Sequence, residues 1–298
     1  MALSIWLTAM RLRTLPLALG SMAAGFAIVP AGHPIDWTVA ALTLGTMLLL
    51  QILSNIANDY GDGLSGVDNH QRQGPQRVLQ GGMVTPKQLR TAISLLVLLS
   101  AISGGALLYL ALPAWKEILV FLGIGALSIV AAITYTVGKK PYGYVGLGDL
   151  SVLIFFGFVA VIGTAYLQSN QLFLLDLLPA LSVGMLAVAV LNINNIRDIE
   201  TDLQAGKRTM AARLGQRNAL IYHCLLVSLA LAGMHCYLWL HKAPYAVILS
   251  LTIPAFIWHG FQLFKVTDKT RYNLLLKTMV LLAFSVDVIF FLASQLQS

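Results

Sequence analysis

A chain of 298 residues with 58% hydrophobic and only 10% charged residues is too apolar for a soluble globular protein. Its net charge of +7 follows the pattern of membrane topology described below, so it calls for no nucleic-acid partner.

Nine apolar segments of about spanning length follow one another: 14–31, 37–57, 93–112, 117–136, 149–167, 172–192, 219–240, 244–264 and 274–296. A span needs about 20 apolar residues. Backbone polar groups in lipid must be satisfied within the segment, so each is expected to be a helix. The expected architecture is all-α: one integral-membrane domain over 1–298, a bundle of nine transmembrane helices with a central cavity and cytoplasmic capping loops. The first segment is the shortest and richest in Gly and Ala, and Arg11 and Arg13 precede it in the manner of a signal peptide. Eight further segments and no Ala-x-Ala cleavage site argue for a retained span.

The second segment runs into Asn58-Asp59-Tyr60-Gly61-Asp62, and a long loop, 58–90, then carries Arg72 and Arg77. The fourth ends in Tyr135-Thr136-Val137-Gly138-Lys139-Lys140. There Lys139 is a point charge suited to a phosphate, and Tyr135 one turn earlier is a hydrogen-bond donor. Asp149 opens the fifth segment, either as a helix-capping acid or as a residue lining a site. The sixth segment runs into Asn194-Asn195-Ile196-Arg197-Asp198 and on to Asp202, with Lys207, Arg208 and Arg213 following in the loop 196–217. Cys224 and Cys236 share the seventh segment about 18 Å apart along a helix, too far to bridge. His223, His235, His241 and His259 show no metal-ligand clustering and read as structural. Asp287, within the last segment, is costly in lipid and is expected to face the bundle interior.

Placing the N-terminus in the cytoplasm puts 17 of the 19 Lys and Arg residues on the cytoplasmic side, with only Lys116 and Lys242 outside. An inner-membrane protein with its loop sites facing the cytoplasm is the expected orientation. The two long cytoplasmic loops also echo each other. Asn58-x3-Asp62-x3-Gly66 aligns with Asn194-x3-Asp198-x3-Asp202 at an offset of 136 residues. This pattern suggests two related halves converging on one site.

A spacing of four puts Asn58 and Asp62 on one helical face, and does the same for Asn194, Asp198 and Asp202. Such rows suit Mg²⁺, which takes one or two carboxylates and completes its octahedron with water and substrate phosphates. Carboxylates at span ends with cations beside them therefore suit a Mg²⁺-neutralised diphosphate. Arg77 and Lys207 are the favoured phosphate contacts, with Arg72 and Arg208 beside them in the same loops. A cation-coupled transporter is the rival from another class, but it would carry its acids near the bilayer midplane.

These residues resemble the intramembrane aromatic prenyltransferases of the 4-hydroxybenzoate polyprenyltransferase type. The family's Asn-x3-Asp-x3-Asp motif is similar to Asn58, Asp62 and Gly66. Gly66 thus stands where the family has a third acid, and Asp68 lies two residues on. Its Asp-x3-Asp motif matches Asp198 and Asp202, and its Tyr-x3-Lys signature matches Tyr135 and Lys139. Within the family, the runs Leu53–Asp62, Gly146–Asp149 and Asn192–Asp198 are most similar to members that prenylate a dihydroxynaphthoate. The resemblance implies transfer of a polyprenyl group from its diphosphate to a hydroxylated aromatic acid in the bilayer, with 4-hydroxybenzoate and homogentisate as alternative acceptors. It implies Mg²⁺ held by Asn58, Asp62, Asn194, Asp198 and Asp202. Tyr135 and Lys139 join the three aspartates as catalytic residues. Asn55, Asp59, Asp68, Arg72, Arg77, Lys207 and Arg208 are implied to contact substrate. Arg13 either orients an acceptor carboxylate or serves topology alone, and Gly20, Ala23, Ala24 and Gly25 are candidates to leave room for the ring.

Overall fold

The computed structural model describes residues 2–67 and 74–296. Among them there is no strand, and eight helices are long and apolar enough to cross a membrane. In chain order, a nine-residue helix α1 (Ala2–Met10) and a short helix α2 (Pro16–Ala27) precede the first two long ones, α3 (Trp37–Ser65) and α4 (Pro86–Ala111). Then come α5 (Trp115–Thr134), α6 (Gly148–Ser169), α7 (Leu174–Arg197), the short α8 (Ile199–Gln204), α9 (Met210–Leu240), α10 (Ala246–Phe264) and α11 (Arg271–Gln295).

The ends follow local chemistry. Asp36 caps α3, its Oδ1 accepting from the backbone N–H of Thr38 and Val39 at 2.8 and 3.0 Å. Thr85 and Gln88 form a capping box at the start of α4, with Pro86 at the first helical position. That cap starts α4 seven residues before the expected apolar segment at 93. Likewise α9 begins at Met210 behind a Thr209 cap, and Gly215 breaks its first turns at φ 74°, ψ 162°. Within α6, residues Leu153–Ile162 form a π-helix, a wider winding that hydropathy does not signal.

The expected span 14–31 is helical only over α2, about 18 Å of rise and too short to cross the hydrocarbon. The chain enters the bundle earlier, through α1, and breaks at Arg11, which adopts left-handed φ 50°, ψ 53° before a 3₁₀ turn over Leu12–Thr14. A helix break frees carbonyls that lipid cannot satisfy. Here α3 satisfies them: the Gln51 amide donates to the Thr14 carbonyl at 2.6 Å and the Asn55 amide to the Met10 carbonyl at 3.0 Å. Gln51 lies 11 residues before Asp62 on the same helix, so the break sits about 10–16 Å below the end of α3 that carries the acids.

The core centres on α7, which packs against α9, the π stretch of α6 and α11. Helix α2 inserts between α6 and α11, with eight of its twelve residues buried. Its small residues let these helices approach. A β-carbon on Gly20 would collide with the Asp287 carboxylate, and one on Gly25 would collide with the Val161 carbonyl and Thr164. Ala24 is fully buried as well. The expectation that Gly20, Ala23, Ala24 and Gly25 hold open a ring pocket is therefore corrected at Gly20, Ala24 and Gly25, where they serve helix packing. Asp287 faces the interior, as expected of a carboxyl in lipid.

Candidate active site

The acidic row on α3 is built by continuing the helix past the apolar stretch. Asn55, Asp59 and Asp62 follow at spacings of four and three, and all three are buried. Gly61 stands between the acids because the loop after α5 crosses there. A β-carbon on Gly61 would come within 2.6 Å of the Thr136 carbonyl oxygen. The Thr136 hydroxyl donates to the Ala57 carbonyl at 3.1 Å and lies 3.3 Å from Asn58 Oδ1. This close crossing seats Tyr135 beside the row. Its ring meets Tyr142 edge-on at 5.4 Å, and its hydroxyl packs on Gly148, where a β-carbon would stand 2.7 Å away. Burial raises the Tyr135 pKa; Lys207 opposes the shift, and Asp149 and Asp62 reinforce it.

The two acidic loops meet at Tyr144 and Lys207. Tyr144 donates to Asp62 Oδ1 at 2.7 Å, and the Lys207 ammonium lies 5.5 Å over the same ring. Lys207 Nζ is also 3.4 Å from Asp202 Oδ1. Backbone bonds hold this junction: Lys207 N–H donates to the Asp202 carbonyl at 2.7 Å, and Arg208 N–H to the Tyr144 carbonyl at 2.8 Å. Burial alone would lower the Lys207 pKa, but the fields of Asp62 and Asp202 outweigh it and raise it, so the ammonium stays charged. Burial pushes Asp202 up to about 6 despite the Lys207 charge, with Asp198 and Asp62 adding to the rise.

Asp198 and Asn194 take a different partner. The Arg197 guanidinium grips Asp198 with two bonds, Nε to Oδ1 at 2.8 Å and a terminal nitrogen to Oδ2 at 2.6 Å. The same side chain donates to Asn194 Oδ1 at 2.8 Å and to Asn273 Oδ1 on α11 at 2.7 Å. Arg197, Tyr144 and Arg11 are the residues that the sequence reading did not assign to the site. In the sequence, Arg11 and Arg197 count only as topological cations.

Asp59 lies between two guanidiniums, Arg11 at 2.5 Å and Arg77 at 3.1 Å. Arg77 thus sits on Asp59 rather than on Asp62. A cavity of about 320 Å³ opens here, and its described lining includes Arg11, Arg13, Arg77 and the carboxylate of Asp59. Guanidiniums gathered in one cavity wall suit an anionic group. Lys139 and Arg208 are exposed at the rim, and Asn55 is engaged at the helix break. Asp68 and Arg72 lie outside the described residues.

Among the described residues, no group of three or more His, Cys, Asp or Glu side chains is arranged to hold a metal ion. The donor chemistry nonetheless fits a hard cation that keeps most of its shell for phosphate oxygens. Asp202 Oδ2 is buried without a hydrogen-bond partner, and the Asp62 and Asp202 carboxylates both act on Lys207. Asp149 completes this end of the bundle. It is buried at the start of α6, and Tyr222 of α9 donates to its Oδ2 at 3.1 Å.

A profile of the UbiA prenyltransferase family matches residues 18–285. The chain is 49% identical over 238 residues to the 1,4-dihydroxy-2-naphthoate octaprenyltransferase of Haemophilus influenzae, covering 79% of this chain and 76% of that one. It is 49% identical over 223 residues to the enzyme of the same name from Escherichia coli, covering 74% and 72%. A UbiA homolog from Archaeoglobus fulgidus, solved bound to DMAPP and Mg²⁺, shares the fold at a TM-score of 0.66 and 15% identity, over 94% of this chain and 98% of that one.

Proposed function

Since the chain belongs to the UbiA prenyltransferase family, we propose that it transfers a polyprenyl group from polyprenyl diphosphate to 1,4-dihydroxy-2-naphthoate. The carboxylate is lost, diphosphate is released, and the product is the demethylmenaquinol of menaquinone synthesis. The names of the relatives at 49% identity support this acceptor. The observation that carries the reading is the junction of the two acidic loops, where Asp62 and Asp202 converge on Tyr144 and Lys207.

An integral-membrane prenyltransferase suits this substrate because the prenyl tail stays in hydrocarbon while the charged head meets polar groups at one end of the bundle. The cation excess at that end supports a cytoplasmic, inner-membrane orientation. Mg²⁺ would be held by Asp62, Asp202 and Asp198 with Asn58 and Asn194, and when bound it supplies charge neutralisation for the leaving diphosphate. Asp198 and Asn194 contribute once Arg197 shares them. Lys207 and Tyr144 hold the phosphates from the loop junction, with Arg208 and Lys139 at the rim. Tyr135, whose hydroxyl lies against Gly148, would stabilise the reacting allylic carbon. The Arg11–Arg13–Arg77 cavity takes the acceptor carboxylate, and Asp59 fixes the direction of its two guanidiniums.

Product analysis tests the assignment. Purified enzyme in lipid vesicles, given polyprenyl diphosphate and Mg²⁺, is expected to convert 1,4-dihydroxy-2-naphthoate to a prenylated, decarboxylated quinol. Efficient prenylation of 4-hydroxybenzoate with no turnover of the naphthoate refutes the acceptor.

A further inference from the structure

The proposed reaction needs an acceptor ring that is electron-rich when the allylic C–O bond breaks. A ring hydroxyl releases electrons far better once its proton is gone. The carboxylates of the loop junction are poorly placed to take that proton, since Lys207 pairs with Asp202, Arg197 grips Asp198 and Tyr144 donates to Asp62. Among the described residues, the buried carboxyl oxygens without a hydrogen-bond partner belong to Glu117, Asp149, Asp202 and Asp287. Glu117 opens α5 at the opposite end of the bundle. Asp287 lies against Gly20, about 24 Å along α11 from its Arg271 end. Asp202 is committed to Lys207 and to the proposed cation, so Asp149 remains, and it stands beside Tyr135.

Three observations place it. Gly148 carries the Tyr135 hydroxyl against its α-carbon, so the neighbouring Asp149 opens α6 at the level of Tyr135. The Asp149 charge acts on Tyr135 together with those of Asp62 and Lys207, so all four groups share one locale. The Tyr222 hydroxyl holds Asp149 Oδ2, which fixes the carboxylate and leaves Oδ1 buried with no hydrogen-bond partner from another residue. A buried carboxylate oxygen without a donor carries a desolvation cost that a substrate O–H would relieve.

We propose that Asp149 is the catalytic proton acceptor for the acceptor ring's hydroxyl, with Tyr222 as its positioning residue. The inference rests on the aromatic prenyl transfer proposed above. Asp149 Oδ1 takes the proton of the hydroxyl next to the carboxylate-bearing carbon. That carbon bonds to the allylic carbon as the C–O bond breaks, and the C–O electron pair leaves with diphosphate. The ring then holds a ketone beside a carbon bearing both the prenyl group and the carboxylate, which is a β-keto acid. The bond to the carboxylate breaks, CO₂ leaves, and the electron pair returns through the ring to the ketone oxygen. That oxygen takes the proton back from Asp149. No proton is gained or lost overall.

The test is the pH–rate profile of Asp149→Asn in vesicles, since the amide keeps the shape and removes the base. At pH 7 kcat is expected to fall about 100-fold or more, with the donor KM within about threefold of wild type. Between pH 7 and 9 the variant's rate should rise about tenfold per unit, as solvent ionises the hydroxyl directly, while wild type stays flat. A fluorinated acceptor, whose hydroxyl ionises at lower pH, should narrow the deficit at pH 7. Tyr222→Phe should lower kcat by about tenfold and leave the donor KM unchanged. If Asp149→Asn does not fold, Asp149→Glu carries the test, with a reduced kcat and a flat profile expected. An Asp149→Asn rate within threefold of wild type, or a deficit equal at every pH and for both acceptors, overturns the proposal. Wild-type enzyme that uses 4-hydroxybenzoate and not the naphthoate overturns the acceptor assignment instead, and the same profile with that acceptor then decides Asp149.

Discussion

Tyr144 donates a hydrogen bond to Asp62 Oδ1 at 2.7 Å across 82 residues of chain. The bond ties the loop after α5 to the acidic row of α3. Burial, and next the Asp62 charge, raises the Tyr144 pKa, so the phenol remains a donor at neutral pH. Tyr144→Phe keeps the ring under Lys207 and removes the hydroxyl with its bonds to Asp62 and to Ser65 Oγ. We expect kcat/KM for the diphosphate donor to fall about tenfold, with a stability loss of about 1 kcal/mol. Steady-state kinetics and thermal unfolding check the two separately, and an unchanged kcat/KM would detach Tyr144 from the site.

Metal dependence follows from Asp62 and Asp202. Asp62→Ala, Asp198→Ala and Asp202→Ala should each reduce turnover by more than about 10³-fold while the helical content persists. EDTA should abolish activity and Mg²⁺ restore it. Full activity after rigorous metal removal would sink the metal reading.

The pH dependence of Mg²⁺ activation can be given a sign. Burial favours the protonated form of Asp202 and pushes its pKa up to about 6. Below that value a proton competes with the cation. The Mg²⁺ concentration for half-maximal activity should rise as pH falls from 7 to 5, by up to about tenfold per unit below 6, and be flat above 7. Asp202→Asn should remove this dependence along with most of the activity. A half-maximal Mg²⁺ concentration constant from pH 5 to 7 would contradict it.

Much of this site was legible in the chain itself, because acids in an apolar sequence are rare and their spacing of four marks a helical face. Asp62, Asp202, Tyr135 and Lys207 lie close enough for their charges to act on one another, while Asn58 meets Thr136. The partners were not legible. Arg11 finds Asp59 across 48 residues, and Arg197 reaches Asn273 across 76, while positive-inside counting treats every arginine alike. The break at Arg11 was hidden because hydropathy averages over a window that also takes in the half-length α2. Gly20 and Gly25 were misread for a physical reason: an absent side chain serves close helix contact as well as it serves a cavity.

Gly61 offers a test of the loop crossing that is independent of charge. A β-carbon there meets both the hydroxyl and the carbonyl of Thr136. Gly61→Ala should therefore push the Tyr135–Thr136 turn off α3, costing about 1–3 kcal/mol and most of the activity. Adding Thr136→Ala removes the hydroxyl and leaves the carbonyl, so the double variant should recover little. Full recovery would show that the side chain alone sets the spacing.

The last prediction concerns the arginine cavity, where position separates binding from topology. Arg13 lines the cavity with Arg11 and Arg77, and Asp59 anchors the latter two. If the acceptor carboxylate sits there, Arg13→Ala should raise the acceptor KM about tenfold or more and leave the donor KM within about threefold. Arg77→Ala should do the same and also destabilise, since it leaves the buried Asp59 with one partner fewer, at about 3 kcal/mol. Asp59→Asn should loosen both guanidiniums and raise the acceptor KM without touching the donor's. Lys269 is the control: it pairs with Glu200 at 2.6 Å on an exposed surface, where such bridges contribute little. Lys269→Ala should leave both KM values unchanged. Should Arg13→Ala and Arg77→Ala instead raise the donor KM and spare the acceptor's, the cavity belongs to the diphosphate and the carboxylate must bind elsewhere.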